Sequence, residues 1–221
     1  MVRRLADGVW LLPLRMSNAY LVEDDVLTLV DAGTPWDADR LRRHLDVLGH
    51  EVSDVGRILL THYDFDHVGT LRRLPFDAPV YAREPDASYL DGSRRPSWTD
   101  RKGAFQRVSG LLLSSPDLDV RRVEDGEAVG SFAVHATPGH TRGHTAFVSA
   151  ERDVGVLGDL VREGNGRLQS SPWALSYDTA AVRDSIARLA STAGEFSVAA
   201  IGHGDPPTEN GSDLLSRLAR R

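Results

Sequence analysis

Histidine and aspartate gather where apolar runs stop in this chain of 221 residues. His62, Asp64, Asp66 and His67 fall within THYDFDHVG, His140 and His144 within TPGHTRGH, Asp159 within LGD, and His203 within IGHGD. Imidazole nitrogens and carboxylate oxygens are the donors that zinc, manganese and iron take. Two aspartates set between histidines repel one another unless solvated or neutralised by cations. A single histidine at a strand end reads as a surface or capping residue, and Asp66 alone reads as a helix cap. Four separate strand ends carrying ligand-type residues beside Gly, Pro or Thr point instead to side chains that converge on one metal site. His44 sits on the polar side of a helix and is expected in solvent. His50 and His135 read as structural, and His144 as a turn residue or a donor outside the ligand set.

The elements that must position these groups follow from periodicity. Val9–Leu12, Ala19–Glu23 and Val26–Val30 read as strands, with a tight turn at Glu23-Asp24-Asp25. A helix after Asp37 carries Leu41, Leu45 and Leu48 on one face and ends at Gly49. Val55–Leu60 is a short strand buried between layers, followed by a short helix around Leu71–Leu74 and a strand at Val80-Tyr81. Residues 84–118, with three prolines and weak helical periodicity, read as an inserted flap of short helices. Strands resume at Val120–Val123, Phe132–Ala136, Thr145–Val148 and Val154–Leu157. A helix from Asp178, a strand Ser197–Ile201 and a helix Asp213–Arg220 complete the chain, which reads as one domain over 1–221. Strand clusters each followed by helices suggest two sheets packed face to face with helices outside.

Composition narrows the classes. Hydrophobic residues at 41% and charged residues at 26% place the chain in the globular range, and the absence of cysteine excludes disulfides, thiolate metal sites and cysteine nucleophiles. A net charge of −6 argues against nucleic-acid binding by bulk electrostatics. No apolar run is long enough for a membrane span, and MVRRLADGVW lacks the apolar core of a signal peptide, so a cytoplasmic protein is expected. Every basic residue except Lys102 is arginine, which reads as genome composition.

The set His62-x-Asp64-x-Asp66-His67, His140, Asp159 and His203 resembles the metallo-β-lactamase superfamily of metallohydrolases, whose first motif is usually His-x-His-x-Asp-His. Asp31-Ala32-Gly33, Thr137-Pro138-Gly139-His140-Thr141 and Gly158-Asp159 match the family's further motifs in wording and order, over residues 31 to 203. The resemblance implies a four-layer αββα sandwich of two mixed β-sheets with a two-metal site at one sheet edge. It implies His62 and His140 on a first ion, Asp66, His67 and His203 on a second, and Asp159 bridging both. The ions would share a hydroxide, with Asp66 orienting it and shuttling its proton. Asp64 stands where the family usually has its second histidine. It is expected as a ligand that lowers the site's charge and shifts preference from zinc toward harder ions such as manganese or iron. Two divalent metal ions are the expected cofactors, zinc first, with manganese or iron as alternatives. Asp31 is expected outside the ligand set, either hydrogen bonding near the site floor or making an Asx-type turn before Gly33.

Tyr63 and Phe65 alternate with the ligands, and Trp173 follows the Asp159 strand; these aromatics are expected to wall an apolar pocket, with Trp98, Phe105 and Tyr177 as further candidates. The expected activity is hydrolysis of a small ester, lactone or thioester. Alternatives are a mononuclear iron dioxygenase of the persulfide-oxidising type, a phosphodiesterase or nuclease, and a non-catalytic nucleotide binder. A small-molecule substrate and a homodimer are the expected partners, with no nucleic acid and no membrane.

Overall fold

A computed structural model describes residues 1–110 and 118–221. Seven strands form the first sheet in chain order: β1 (Arg3–Ala6), β2 (Val9–Pro13), β3 (Asn18–Glu23), β4 (Leu27–Val30), β5 (Arg57–Leu59), β6 (Val80–Ala82) and β7 (Val120–Arg122). The β1–β4 meander is antiparallel and β4–β7 are parallel. The second sheet is built from β8 (Ala128–Val129), β9 (Phe132–Ala136), β10 (Thr145–Ser149), β11 (Val154–Gly158) and β14 (Val198–Ile201), in the order β14-β11-β10-β9-β8. Its β11–β14 pair is parallel and the rest antiparallel, so both sheets are mixed. Strands β12 (Val161–Gly164) and β13 (Arg167–Ser170) form a separate hairpin.

Alternation along the strands creates the layers. Tyr20 and Val22 enter a core shared by the two sheets with Phe132, Val134, Phe147 and Val156, while Ala19 and Leu21 turn the other way. That opposite face meets Leu41 and Leu45 of α1 (Ala38–Val47). On the second sheet, Val198 and Ala200 face the shared core, whereas Ala199 and Ile201 face Val182, Ile186 and Leu189 of α5 (Thr179–Thr192) and Leu215 of α6 (Gly211–Ala219). A period of two on each strand thus loads three cores between four layers, helix–sheet–sheet–helix. The αββα expectation holds.

Departures are local. The helix expected at Leu71–Leu74 is instead α2 (Phe65–Val68), which runs into a 3₁₀ turn at Gly69–Arg72. Gly69 packs against the Thr34 and Pro35 backbone where a Cβ would have no room, so the turn tightens there. The strand expected from Val55 begins only at Arg57, whose buried guanidinium is held by Asp24 and Asp25, both at 2.6 Å, from the turn that precedes β4. The 84–118 segment contains α3 (Asp86–Leu90) and α4 (Arg101–Ser109); its part at 111–117 lies outside the described residues. His44 is half-buried rather than solvated, and burial lowers its pKa. No described helix is long and apolar enough to cross a membrane.

Candidate metal centre

The donors stand where strands of both sheets end. His62, Asp64, Asp66 and His67 follow β5, with Asp64 at the backbone N-cap position of α2. His140 lies between β9 and β10, Asp159 directly after β11 and His203 after β14. Three groups of donor atoms fit within the reach of a metal ion: His62, Asp64 and His140; His62, His67 and Asp159; and Asp66, His67 and His203.

Separations within these groups test the fit to a cation. Bonds of ~2.0–2.1 Å to a tetrahedral ion place its ligands about 3.3–3.4 Å apart. His140 Nε2 lies 3.1 Å from Asp64 Oδ2 and 3.5 Å from Asp159 Oδ2, and His62 Nε2 lies 3.4 Å and 4.0 Å from the same two atoms. On the other side, His203 Nε2 lies 3.0 Å from Asp159 Oδ2 and 3.5 Å from Asp66 Oδ2. His67 Nε2 lies 3.5 Å from Asp159 Oδ1 and 4.0 Å from Asp66 Oδ2. Asp159 lies within 4.0 Å of His62 and His140 on one side and of His67 and His203 on the other, as a bridging carboxylate must. Among the described residues, His62 Nε2, His67 Nε2 and Asp159 Oδ1 are buried without a hydrogen-bond partner, a costly state that a cation relieves.

The outer nitrogens are tied so that the inner ones face the site. His67 Nδ1 donates to Asp31 Oδ2 at 2.9 Å, and His203 Nδ1 donates to the Met16 carbonyl at 2.7 Å. Thr61 Oγ1 donates to Asp31 Oδ2 at 2.8 Å, so it accepts from His62 Nδ1 at 2.9 Å. His140 Nδ1 meets Ser171 Oγ at 2.9 Å. Such partners set the tautomer and aim of each ring. Asp31 therefore does not close an Asx turn; its carboxylate joins Thr61 and His67, and its own φ of 56° is one that aspartate tolerates. Asp31→Asn keeps that backbone but replaces an acceptor by a donor. It is expected to weaken metal retention about 10–100-fold, read by competition with a chromophoric chelator.

Electrostatics make the pocket a sink for positive charge. Burial disfavours a charged His67, yet Asp31, Asp159 and Asp66 push its pKa up to about 10. Burial and the neighbouring His67 push His62 down to about 4. Burial would raise Asp159, but His67 and His203 hold it well below the usual carboxylate range. Gly202 gives Asp159 its place, since a Cβ there would overlap Asp159 Oδ1 and come within 3.0 Å of His67.

The remaining candidates lie around this centre. His144 is fully buried, bonds to Thr137 Oγ1 at 2.8 Å through Nδ1 and packs on the His62 ring with centroids 5.2 Å apart, outside the donor groups. Tyr63 packs on Tyr89 and lines a cavity with Arg72, Trp98 and Gln106. Phe65 meets Trp36 edge-on at 5.2 Å. Trp173 is exposed beneath Arg101 of α4, 4.1 Å from its ring, and its carbonyl accepts from the same guanidinium.

Three residues that matter here carry no role in the sequence, where Lys102 reads only as composition. Lys102 and Gln106, one turn apart on α4, reach Asp64, and Asp86 of α3 accepts from Tyr63 N, Thr141 Oγ1 and Gly143 N. The lone lysine among arginines was the only available signal for the first; nothing local marks the other two.

Known proteins resemble this chain in sequence and fold. The chain is 28% identical to the probable metallo-hydrolase YflN of Bacillus subtilis strain 168, over 98% of this chain and 91% of that protein. It is 26% identical to the hydroxyacylglutathione hydrolase of Bdellovibrio bacteriovorus, over 78% of this chain and 61% of that enzyme. The crystal structure of TTHA1623 in a di-iron-bound form superposes with a TM-score of 0.70 at 32% identity, covering 93% of this chain and 94% of that one. The sequence model of the metallo-beta-lactamase superfamily matches residues 12–203, and with the ordered donors at the sheet edge this makes the chain a member of that superfamily and a metal-dependent hydrolase.

Proposed function

We propose that this chain hydrolyses a small ester, lactone or thioester at the centre formed by Asp66, His67, Asp159 and His203 beside His62 and His140. The observation that carries this reading is the group of buried, unpartnered donor atoms, His62 Nε2, His67 Nε2 and Asp159 Oδ1, facing one space. A divalent ion held there, zinc first and manganese or iron next, would supply a Lewis acid for an acyl oxygen and acidify water at neutral pH. Asp66, partly exposed at the rim and 3.5 Å from His203 Nε2, is placed to hold and pass the proton of attacking water. Tyr63 and Trp98 in the adjoining cavity would wall the acyl or leaving group. Kinship with a hydroxyacylglutathione hydrolase supports thioesters as one arm of the substrate class.

The test is a panel of p-nitrophenyl esters, lactones, thioesters and bis-p-nitrophenyl phosphate on protein of known metal content. Turnover of an acyl substrate, abolished by chelator and restored by metal, is expected. Activity confined to the phosphodiester would overturn the acyl reading in favour of a phosphodiesterase.

A further inference from the structure

Lys102 is the chain's single lysine, and it lies buried against the donor group of His62, Asp64 and His140. Its ammonium pairs with Asp64 Oδ2 and approaches His140 Nε2 to 3.0 Å. Gln106, on the same face one turn later, donates to the other Asp64 oxygen at 3.0 Å and to the Tyr63 carbonyl at 2.6 Å. Asp64 thus has a partner from α4 on each oxygen. Burial would raise its pKa, but Lys102 first, then the histidines, hold it well below the usual range.

Nothing in α4 itself favours a cation at this place. Lys102 sits in the first turn, where the helix dipole opposes positive charge, and lysine is seldom buried unless paired. The helix is nevertheless anchored to present it. Asp100 caps it through Gly103 N at 2.6 Å, Arg101 stacks on Trp173, and Arg142 reaches Asp100 at 3.3 Å.

We infer that the Lys102 ammonium takes the place of the first metal ion, so that this hydrolase holds one firmly bound ion, at Asp66, His67, Asp159 and His203. The inference deepens the metallohydrolase reading and rests on it. Three physical arguments converge. The single in-plane lone pair of His140 Nε2 cannot both accept from Lys102 and ligate a metal. A divalent ion among His62, Asp64, His140 and Asp159 would sit directly against the ammonium, and like charges at that range repel strongly in a buried site. Finally, one ammonium and one divalent ion match the three carboxylates Asp64, Asp66 and Asp159, whereas a second divalent ion added beside the ammonium leaves two positive charges in excess over them. Asp64 in place of the family's histidine is then the partner of the lysine. The four first-position donors nevertheless keep separations that suit a tetrahedral ion, so the position opens once the ammonium is removed.

The experiment is elemental analysis of full-length protein loaded with excess zinc, manganese or iron and then desalted, on wild type, Lys102→Ala and Lys102→Arg, with circular dichroism confirming the fold of each. Expected are one ion per chain in wild type and Lys102→Arg, and two in Lys102→Ala. His203→Ala should lose the wild-type ion, while Asp64→Asn should retain it. Two ions in wild type, the state in which TTHA1623 was solved, would overturn the inference and leave the hydrolase reading standing. A folded Lys102→Ala protein that still holds one ion would also overturn it. No ion in any folded variant would overturn the metallohydrolase reading itself.

Discussion

Asp159→Ala is expected to strip the centre of tightly held metal and to cut turnover of the best panel substrate by about three orders of magnitude, equivalent to ~4 kcal/mol of transition-state stabilisation. Among the described residues no other carboxylate touches as many of the centre's histidines. Its Oδ2 lies 3.0 Å from His203 Nε2 and 3.5 Å from His140 Nε2, and its Oδ1 lies 3.5 Å from His67 Nε2. On the proposed ligand set, removing it takes a ligand from the bound ion and leaves the His67–His203 pair with Asp66 as the one carboxylate in that set. The truncation removes one carboxylate partner of buried His67 and leaves Asp31 and Asp66 beside it, so circular dichroism of the variant accompanies the metal measurement. The measurements are metal content after desalting and kcat/KM on that substrate. A variant that keeps its ion and more than a tenth of wild-type kcat/KM would show that Asp159 is no ligand. Asp159→Asn keeps the shape but trades one acceptor oxygen for a donor, and it should retain only a fraction of the metal.

Much of this molecule can be read before folding because its signals are local. Ala19, Tyr20, Leu21 and Val22 form an unbroken apolar run whose members enter two different cores in turn, so the strand and its burial on both faces are visible together. The donors were legible for another reason: each follows an apolar run within a few residues, so its strand identifies it. The β12–β13 hairpin was missed although Asn165-Gly166, with φ of 57° and 69°, is the two-residue turn such hairpins prefer. Strand β1 was missed because Arg3 and Arg4 are exposed on an edge and show no apolar alternation. Lys102 and Asp86 were illegible for a deeper reason. Their partners lie 38 and 23 positions away in the chain, and the segment that carries them has no strong period. A charged residue in such a segment reads as solvated until the fold brings its partner to it.

Asp86→Ala is the second large effect, and it falls on stability and site geometry together. One buried carboxylate joins three segments: Oδ2 accepts from Tyr63 N at 2.8 Å and Thr141 Oγ1 at 2.7 Å, and Oδ1 accepts from Gly143 N at 3.1 Å. Those donors flank His62, Asp64, His140 and His144, so Asp86 sets the spacing between the loop after β5 and the loop before β10. Alanine leaves three buried donors unpaired at ~1–3 kcal/mol each. Neighbours do not add fully, so a loss of about 3–4 kcal/mol is expected, read as the change in urea unfolding free energy. The pH dependence has a definite sign. Burial raises Asp86 from 3.8 to about 6 despite its hydrogen bonds, so between those values the folded protein binds more protons than the unfolded chain. This group's contribution is therefore complete below about pH 4, declines by ~3 kcal/mol as pH rises to about 6, and is flat above. The wild-type advantage over Asp86→Ala should accordingly be larger at pH 4.5 than at pH 7.5. An advantage that instead grew from acid to neutral pH would mean that Asp86 folds as an easily ionised carboxylate, and that its charge, rather than its three hydrogen bonds in a buried pocket, ties the two loops.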